Sequence, residues 1–245
     1  MFVCYSKRME LAQTQLLNGH NIATFFHDAK SKKIVIFCHG YRGTSIGPSR
    51  FFVQASRMLV ENGISSLRFD QYCSGNSDGD FLDSSFNDWV QTTTEIAQSY
   101  LNQGFEVALF GQSMGASTVI CVNSVLARVL ATVAWVPDPN VGQFAPPESG
   151  VIEEGGQRVR SKYWQEAYDA KVGDKLQSIN SPMYIVQCSD DEFVSRENHE
   201  AISNSARSQH IVEMFNGYQH SAWSYEQSED IISRSVDFLT KSFQQ

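Results

Sequence analysis

Gly111-Gln112-Ser113-Met114-Gly115 is the stretch that decides the fold of this chain. An apolar run over residues 107–110 leads into it, and a helical pattern over residues 116–130 follows. The order is therefore strand, sharp turn and helix, with a serine at the apex. Such a turn strains the serine and crowds the positions two residues to either side, where only glycine fits comfortably. An ordinary turn with a capping serine would explain neither glycine, so we predict that Ser113 is a nucleophile.

Length and composition describe one globular α/β domain. The 245 residues can bury a single core, and 42% hydrophobic with 19% charged residues is ordinary for a globular protein. A net charge of −8 disfavours nucleic acid and anionic membrane surfaces as partners, because phosphate groups bind to basic faces. We therefore expect a small-molecule substrate and neither a nucleic-acid nor a membrane partner; a homodimer is compatible with the sequence.

The five cysteines are scattered, odd in number and free of any C-x-x-C spacing. Cys38, Cys121 and Cys188 lie in apolar runs, where cysteine behaves as a small buried hydrophobe. Residues 1–13 contain no apolar run as long as that of a signal peptide, and no segment approaches a transmembrane helix. These features favour a reducing, cytoplasmic location.

Strand and helix patterns alternate along most of the chain. An Asn18-Gly19 turn predicts an antiparallel hairpin of residues 8–16 and 21–27. Apolar runs predict strands over residues 34–38, 64–69, 105–110, 131–136, 183–188 and 210–214. Helical patterns lie between and after them, over residues 48–62, 84–103, 116–130, 197–206 and 225–243. This alternation predicts an α/β fold with a mostly parallel central sheet and helices on both faces.

Residues 137–174 break the alternation. Prolines and glycines interrupt regular structure there, and one helical stretch, residues 162–170, carries Tyr163 and Trp164. The segment is too long for a simple loop in a compact domain, so we interpret it as a cap inserted into a core formed by residues 1–136 and 175–245. The alternative is a flexible surface loop, which the aromatic residues disfavour.

A serine nucleophile needs a base to take its proton, and His220 is our candidate. It follows the last strand, in a loop that leads into the C-terminal helix. Four other histidines lie in turns or on helix and strand faces without a comparable context: His20, His27, His199 and His210. We interpret the ring of His39 as a brace for its own loop.

The base needs an orienting carboxylate, and three acids follow the strand over residues 183–188. Open α/β sheets keep their sites at the carboxyl ends of the strands. We choose Asp191 over Asp190, with Glu192 third. Asp138, which follows the preceding strand, stays a rival.

An oxyanion hole needs two N–H donors. The backbone of Met114, directly after the nucleophile, should supply one. The turn over residues 39–43 should supply the other, from the N–H of Tyr41. The chain order Ser113, Asp191, His220 is the order that this class of fold requires.

Together these residues resemble the α/β-hydrolase fold over nearly the whole chain. Several motifs are similar to those of small esterases of the cinnamoyl/feruloyl esterase group, and also to those of monoacylglycerol-lipase-like and serine-aminopeptidase-like hydrolases: His39-Gly40-Tyr41-Arg42-Gly43, Arg68-Phe69-Asp70 with Ser74-Gly75-Asn76-Ser77-Asp78-Gly79, Gly111-Gln112-Ser113-Met114-Gly115, Asp191-Glu192-Phe193-Val194 and Gly217-Tyr218-Gln219-His220. The resemblance implies that Asp191, which opens a D-x-x-V segment, is the acid. It also implies that residues 137–174 form a substrate-shaping cap. Gln112 departs from it, because these families commonly carry histidine before the serine.

The combined expectation is a serine hydrolase that cleaves carboxylic esters, including aryl or cinnamoyl esters, through an acyl-enzyme. Six aromatic residues would line its apolar acyl or aryl pocket: Trp135, Phe144, Tyr163, Trp164, Phe193 and Trp223. The sequence contains no G-x-G-x-x-G, P-loop or metal-ligand cluster, so no cofactor and no metal are expected.

Three alternatives stay open. A peptidase would need a charged anchor for a substrate terminus, which Glu153 or Glu154 could supply. An acyl-thioesterase would use basic residues such as Arg158 and Arg160 to hold a phosphopantetheine or coenzyme A partner. A non-catalytic binding protein on the same fold usually lacks a triad residue or an elbow glycine, and this sequence keeps all of them.

Overall fold

The structure, a computed structural model, describes residues 10–140 and 150–245. Within these ranges the strands are β1 (Glu10–Leu17), β2 (His20–His27), β3 (Lys33–Cys38), β4 (Ser65–Phe69), β5 (Glu106–Gln112), β6 (Val129–Trp135), β7 (Val151–Glu154), β8 (Gln157–Arg160), β9 (Met183–Cys188) and β10 (Ile211–Phe215). Eight of them form one sheet in the order β1-β2-β4-β3-β5-β6-β9-β10, and β7 pairs with β8 in a separate antiparallel hairpin. β2 is antiparallel to β1 and β4, whereas the other six strands of this sheet (β4, β3, β5, β6, β9 and β10) are parallel to one another. The prediction of a mostly parallel sheet is confirmed.

The helices cover both faces of the sheet. They are α1 (Phe51–Glu61), α2 (Phe86–Asn102), α3 (Met114–Val125), α4 (Lys162–Asp169), α5 (Val172–Ser178), α6 (Arg196–Ser205) and α7 (Tyr225–Ser242). In β5, Ala108 and Phe110 join the apolar cluster of α1 and α7, whereas Val107 and Leu109 join that of α2 and α3. Because both faces of the central strands are buried, these strands read as continuous apolar runs in the sequence.

The predicted end of the helix after Ser113 is wrong. α3 ends at Val125, and Leu130 lies in β6. α3 is buried on almost every side, from Met114 to Asn123. Apolar residues therefore continue across the helix end without a break in pattern, and periodicity alone could not locate it.

Between β6 and β9, the described residues form the β7–β8 hairpin followed by α4 and α5. The helical stretch predicted over residues 162–170 is confirmed as α4, but the hairpin was not predicted. Its turn uses Gly155 and Gly156, both at positive φ, which the sequence analysis took only as breaks in structure. Glu166 of α4 accepts hydrogen bonds from the Ser85 hydroxyl (2.6 Å) and the Asn87 N–H (3.2 Å), which ties this segment to the start of α2.

None of the described helices is both long enough and apolar enough to span a membrane.

Candidate active site

The turn between β5 and α3 holds Ser113 in a strained conformation, with φ 56° and ψ −124°. Such a backbone costs on the order of 1–3 kcal/mol in a residue other than glycine. The flanking glycines make the turn possible. A Cβ on Gly111 would lie under 3.0 Å from the carbonyl oxygen of Gly115, and one on Gly115 would lie equally close to the carbonyl oxygen of Cys38. Real Cβ atoms essentially never approach so closely, so both positions require glycine.

Replacing Gly115 by alanine is therefore expected to destabilise the protein by about 2–3 kcal/mol, because backbone on the neighbouring strand must move. Gly173, in α5, is the matched control: its nearest neighbour to a new Cβ is 3.4 Å away, an ordinary contact. Gly173→Ala should raise the free energy of unfolding by up to about 1 kcal/mol through helix propensity. Urea unfolding of both variants measures the difference. Equal stabilities would contradict the steric role of Gly115.

Ser113, His220 and Asp191 form a continuous hydrogen-bonded chain. The Ser113 Oγ lies 2.8 Å from the His220 Nε2, and the His220 Nδ1 lies 2.8 Å from the Asp191 Oδ2. The structure brings these residues together from three separate places: the turn before α3, the loop after β9 and the loop after β10. In this arrangement the ring can accept the serine proton while the carboxylate holds the ring in the required tautomer.

The environment of Asp191 keeps its carboxylate ionised. Burial raises its pKa, but the hydrogen bond and charge of His220 lower it, as do backbone N–H groups. These are the N–H groups of Phe193 and Val194, which donate to Oδ1 at 2.8 Å each. The net effect is a pKa below the usual value for aspartate, so this carboxylate is negative at neutral pH.

The other candidate acids occupy different positions. Asp190 Oδ1 accepts a hydrogen bond from the neighbouring serine hydroxyl. The Glu192 side chain accepts from the backbone N–H of His220 at 3.2 Å and does not contact the ring through a hydrogen bond. Asp138 Oδ1 accepts from the Asn198 side chain of α6 at 2.9 Å. Of the four acids, Asp191 is the one hydrogen-bonded to the ring of His220.

The candidate oxyanion donors flank Ser113. Met114 is the first residue of α3, and N–H groups in the first turn of a helix have no partner inside the helix. The loop after β3 folds into a turn closed by a 2.9 Å hydrogen bond from the Gly43 N–H to the Gly40 carbonyl, with Tyr41 inside it. A Cβ on Gly40 would lie 3.2 Å from the Ser113 Cβ, so this turn packs directly against the serine.

His39 has the bracing contacts expected of it. Its Nδ1 lies 2.8 Å from the Gly40 carbonyl, and its Nε2 accepts from the Gln71 N–H at 3.0 Å. A carbonyl can only accept and a backbone N–H can only donate, so the ring carries its proton on Nδ1 and is neutral. Burial lowers the pKa of His39, which agrees with a neutral ring.

Two of the predicted pocket residues lie in the core instead. Trp135 is fully buried, and its indole N–H donates to the Ser235 hydroxyl of α7 at 2.9 Å. Trp223 is nearly buried, with its ring 5.2 Å from both Trp135 and Phe51. Their rings pack with the helices on the α1 and α7 face, so the prediction that they line a substrate pocket is wrong. An aromatic residue beside a site and one in the adjoining core look alike in a sequence.

Tyr163 and Trp164 of α4 lie beside the loop after β3. The ring of Trp164 is 4.8 Å from that of Tyr41. Tyr163 is fully buried, with its ring 5.5 Å from both Tyr41 and Trp89. Trp164 therefore presents partly accessible surface near the site. Tyr163 packs beneath it in the core, so the prediction that Tyr163 lines a substrate pocket is wrong.

Phe193 and Phe144 complete the predicted aromatic set. Phe193 is 63% exposed, and its ring lies 5.1 Å from that of His220 in an edge-on contact, so it can meet a ligand at this point. Phe144 lies outside the described residues.

His199 is a site residue that the sequence analysis missed. It lies on α6, buried, with its Nε2 4.0 Å from the Asp191 Oδ2. Burial lowers its pKa, and the nearby carboxylate of Asp191 opposes that shift. Nothing local in the sequence marks this histidine, because only the packing of α6 against the loop after β9 brings it here.

Three buried histidines make folding sensitive to acid. His39, His199 and His210 each have a pKa lowered from 6.5 by burial. Below pH 6.5 the unfolded chain binds protons that the folded chain does not, so stability falls as the pH falls. Each histidine adds a slope of at most about 1.4 kcal/mol per pH unit. Urea unfolding at pH 7.5, 6.5 and 5.5 should show that the free energy of unfolding falls as the pH falls. His199→Leu should make this pH dependence weaker. A stability that rises on acidification over this range would contradict this view of the histidines.

Comparison with known proteins agrees with the fold. The family model described as serine aminopeptidase, S33, matches residues 29–128. Est1E from Butyrivibrio proteoclasticus, in a structure with ferulic acid bound, superposes with a TM-score of 0.81 at 21% identity, covering 96% of this chain and 100% of that one. A monoacylglycerol lipase from Paleococcus ferrophilus gives a TM-score of 0.72 at 18% identity, covering 90% and 98%. The mouse alpha/beta hydrolase domain-containing protein 10 gives 0.78 at 17%, covering 94% and 99%. No curated protein matches the sequence.

The fold is that of the α/β-hydrolases, with the strand order, parallel core and helix placement described above. The solved structures show this fold, and the serine aminopeptidase family model matches the part of the chain that contains Ser113.

Proposed function

We propose that this protein is a serine hydrolase that cleaves carboxylic esters through an acyl-enzyme. The observation that carries the proposal is the hydrogen-bonded chain from Ser113 through His220 to Asp191, with 2.8 Å at each step. A serine of ordinary pKa is a poor nucleophile, and this chain supplies the base and the orienting carboxylate that it needs.

In the first half-reaction the Ser113 Oγ attacks the ester carbonyl carbon while His220 Nε2 takes the hydroxyl proton. The carbonyl oxygen becomes an oxyanion, which the N–H groups of Met114 and Tyr41 stabilise. The C–O bond to the leaving alcohol then breaks, and His220 returns the proton to that oxygen. Asp191 stays ionised and stabilises the imidazolium that forms in between.

In the second half-reaction a water molecule attacks the acyl-enzyme. His220 takes a proton from the water, the bond between the acyl carbon and the Ser113 Oγ breaks, and the proton goes to the serine oxygen. The carboxylic acid leaves, and the free enzyme is restored. No residue beyond the serine, the ring, the carboxylate and the N–H donors is required.

The surroundings of Ser113 favour small esters with an aryl or medium apolar acyl group. Trp164 and Phe193 offer aromatic surface near the serine and the base. The likeness to Est1E, which holds ferulic acid, and to a monoacylglycerol lipase is consistent with this substrate range. We also propose that residues 137–174 act as a cap that shapes the pocket.

The cysteines support a reducing compartment, which we propose to be the cytoplasm. Four of them lie in described residues, and all four are buried as free thiols: Cys38, Cys73, Cys121 and Cys188. Burial raises the pKa of Cys38 to about 11, so this thiol stays protonated and unreactive at neutral pH.

Hydrolysis of 4-nitrophenyl esters from acetate to decanoate, beside methyl ferulate, tests the proposal. Turnover that Ser113→Ala removes supports a serine esterase, and the preferred acyl group then separates aryl esterase from lipase-like activity. Of the two candidate anchors of the peptidase alternative, Glu154 contacts Arg42 at 3.3 Å. Absence of turnover across the panel in folded protein would overturn the ester proposal in favour of a peptidase, a thioesterase or a non-catalytic relative.

A further inference from the structure

A cleft of about 540 Å³ opens beside the turn that carries Tyr41. Three segments form its walls: residues 42–44 after β3, the loop within residues 73–81 after β4, and residues 156–158 at the turn of the β7–β8 hairpin. Neither Ser113 nor His220 lines it. The proposed mechanism therefore assigns no role to this cleft.

The residues that line the cleft include two arginines. Arg42 and Arg158 line it, and among its described lining residues Asp80 is the acidic one. Asp80 is engaged as a helix cap, since its Oδ1 accepts from the Leu82 N–H at 2.9 Å. Outside the lining, Glu154 pairs with Arg42 through a single contact of 3.3 Å. A guanidinium has five N–H donors, so Arg42 keeps donors for a ligand.

An unpaired hydroxyl also lies in the cleft wall. Ser74 is 7% exposed and lines the cleft, and its Oγ has no hydrogen-bond partner among the described residues. Leaving a buried hydroxyl unpaired is unfavourable, so such groups in folded proteins call for a partner that the protein itself does not supply. The Oγ itself is covered by protein, so the two arginines, and not this hydroxyl, are the groups exposed to a ligand in the cleft.

The cleft is within reach of an ester bound at Ser113. Gly40 packs on the serine, as shown above, and Arg42 follows only two residues later, a span of roughly 7 Å at most. Phe81 lines the cleft, and its ring is 5.3 Å from that of Tyr41. The Tyr41 turn therefore lies between the serine and the cleft.

The hairpin turn fits closely over Arg42. A Cβ on Gly155 would lie under 3.0 Å from the Arg42 guanidinium, so the hairpin turn and the guanidinium are in close contact. This contact holds the guanidinium between the core and the hairpin and brings Arg158, three residues further on, to the same cleft.

We propose that this cleft binds an anionic group, a carboxylate or a phosphate, at the far end of the ester substrate. Arg42 and Arg158 supply the cations. The inference rests on the proposed function and deepens it, because it assigns the substrate class: esters that carry an anionic group several atoms from the scissile carbonyl.

Two matched ester pairs test the inference by kcat/KM. One pair is 4-nitrophenyl hydrogen pimelate and its neutral methyl ester, with the carboxylate on the acyl side. The other is 3-carboxyphenyl butyrate and its neutral methyl ester, with the carboxylate on the alcohol side. We expect the anionic member of at least one pair to be preferred by about tenfold, the size of one charge-assisted contact. Arg158→Gln should abolish that preference.

Arg160→Gln is the matched control, because Arg160 lies on the same strand, pairs with Asp83 at 3.2 Å and does not line the cleft. It should leave the preference unchanged. If Ser113-dependent turnover shows no anionic preference in either pair, the inference fails while the proposed function stands. If neither pair is hydrolysed and the 4-nitrophenyl ester panel is not hydrolysed either, the proposed function fails, and direct binding then tests the cleft.

Direct binding is measured by calorimetry, in which the Ser113→Ala protein is titrated with monomethyl pimelate and, separately, with inorganic phosphate. Binding of monomethyl pimelate that Arg158→Gln weakens about tenfold supports the inference. Binding of inorganic phosphate without any binding or turnover preference for the anionic esters would show a free-anion site and overturn it. Absence of binding of both probes, together with equal turnover of the ester pairs, would also overturn it.

Discussion

Ser113→Ala is expected to lower kcat for a 4-nitrophenyl ester by about 10⁵-fold or more, to the residual level that binding and oxyanion stabilisation alone support. The reason is that the variant has no oxygen to form the acyl-enzyme, whereas every other group of the site stays in place. Removing one hydroxyl from a partly exposed turn leaves the backbone strain as it is, so the melting temperature should change by only a few degrees.

The control for this prediction is the fold of the variant. Circular dichroism and urea unfolding of Ser113→Ala should match those of the unchanged protein. If a folded variant keeps most of its turnover, Ser113 is not the nucleophile.

Asp191→Asn is expected to lower kcat by about 10⁴-fold through the tautomer of His220. The Asp191 Oδ1 accepts two backbone N–H groups at 2.8 Å each, so in the variant the amide oxygen keeps that position and the NH₂ group faces the ring. The His220 Nδ1 must then accept rather than donate. Its proton moves to Nε2, and the ring can no longer take the proton of Ser113.

Asp138→Asn is the matched control, because Asp138 was the rival acid. Its Oδ1 accepts from Asn198 and from the Asn140 N–H at 2.9 Å each, and an asparagine oxygen can keep both contacts. We expect less than about a tenfold loss of kcat. Steady-state kinetics of the two variants on one ester give the two losses of kcat and so identify the catalytic acid. A larger loss in Asp138→Asn than in Asp191→Asn would make Asp138 the acid.

Much of the fold was predictable because its signals are local. The run before Gly111 is a strand buried on both faces, and the glycines around Ser113 leave little freedom for the turn. The order of apolar strands and amphipathic helices then determines a parallel sheet, since such connections pack in only a few ways. The residues of the candidate site follow from the same order, because parallel strands end at one edge of the sheet.

The remaining features depend on contacts between distant parts of the chain. Trp135 and Trp223 were predicted to line a pocket, yet the packing of α7 places them in the core. His199 comes near Asp191 only because α6 packs back on the loop after β9. The cleft between Arg42 and the hairpin turn joins segments more than a hundred residues apart, and no local pattern indicates such a contact.

Covalent labelling with a fluorophosphonate probe is the most direct test of an activated serine at this turn. The Ser113 Oγ should attack the phosphorus, fluoride should leave, and intact-protein mass spectrometry should show one adduct per chain. Peptide mapping should place the adduct on Ser113, and Ser113→Ala should not react. A folded, unchanged protein that stays unlabelled, or an adduct on another residue, would contradict a nucleophilic Ser113 activated by His220 and Asp191.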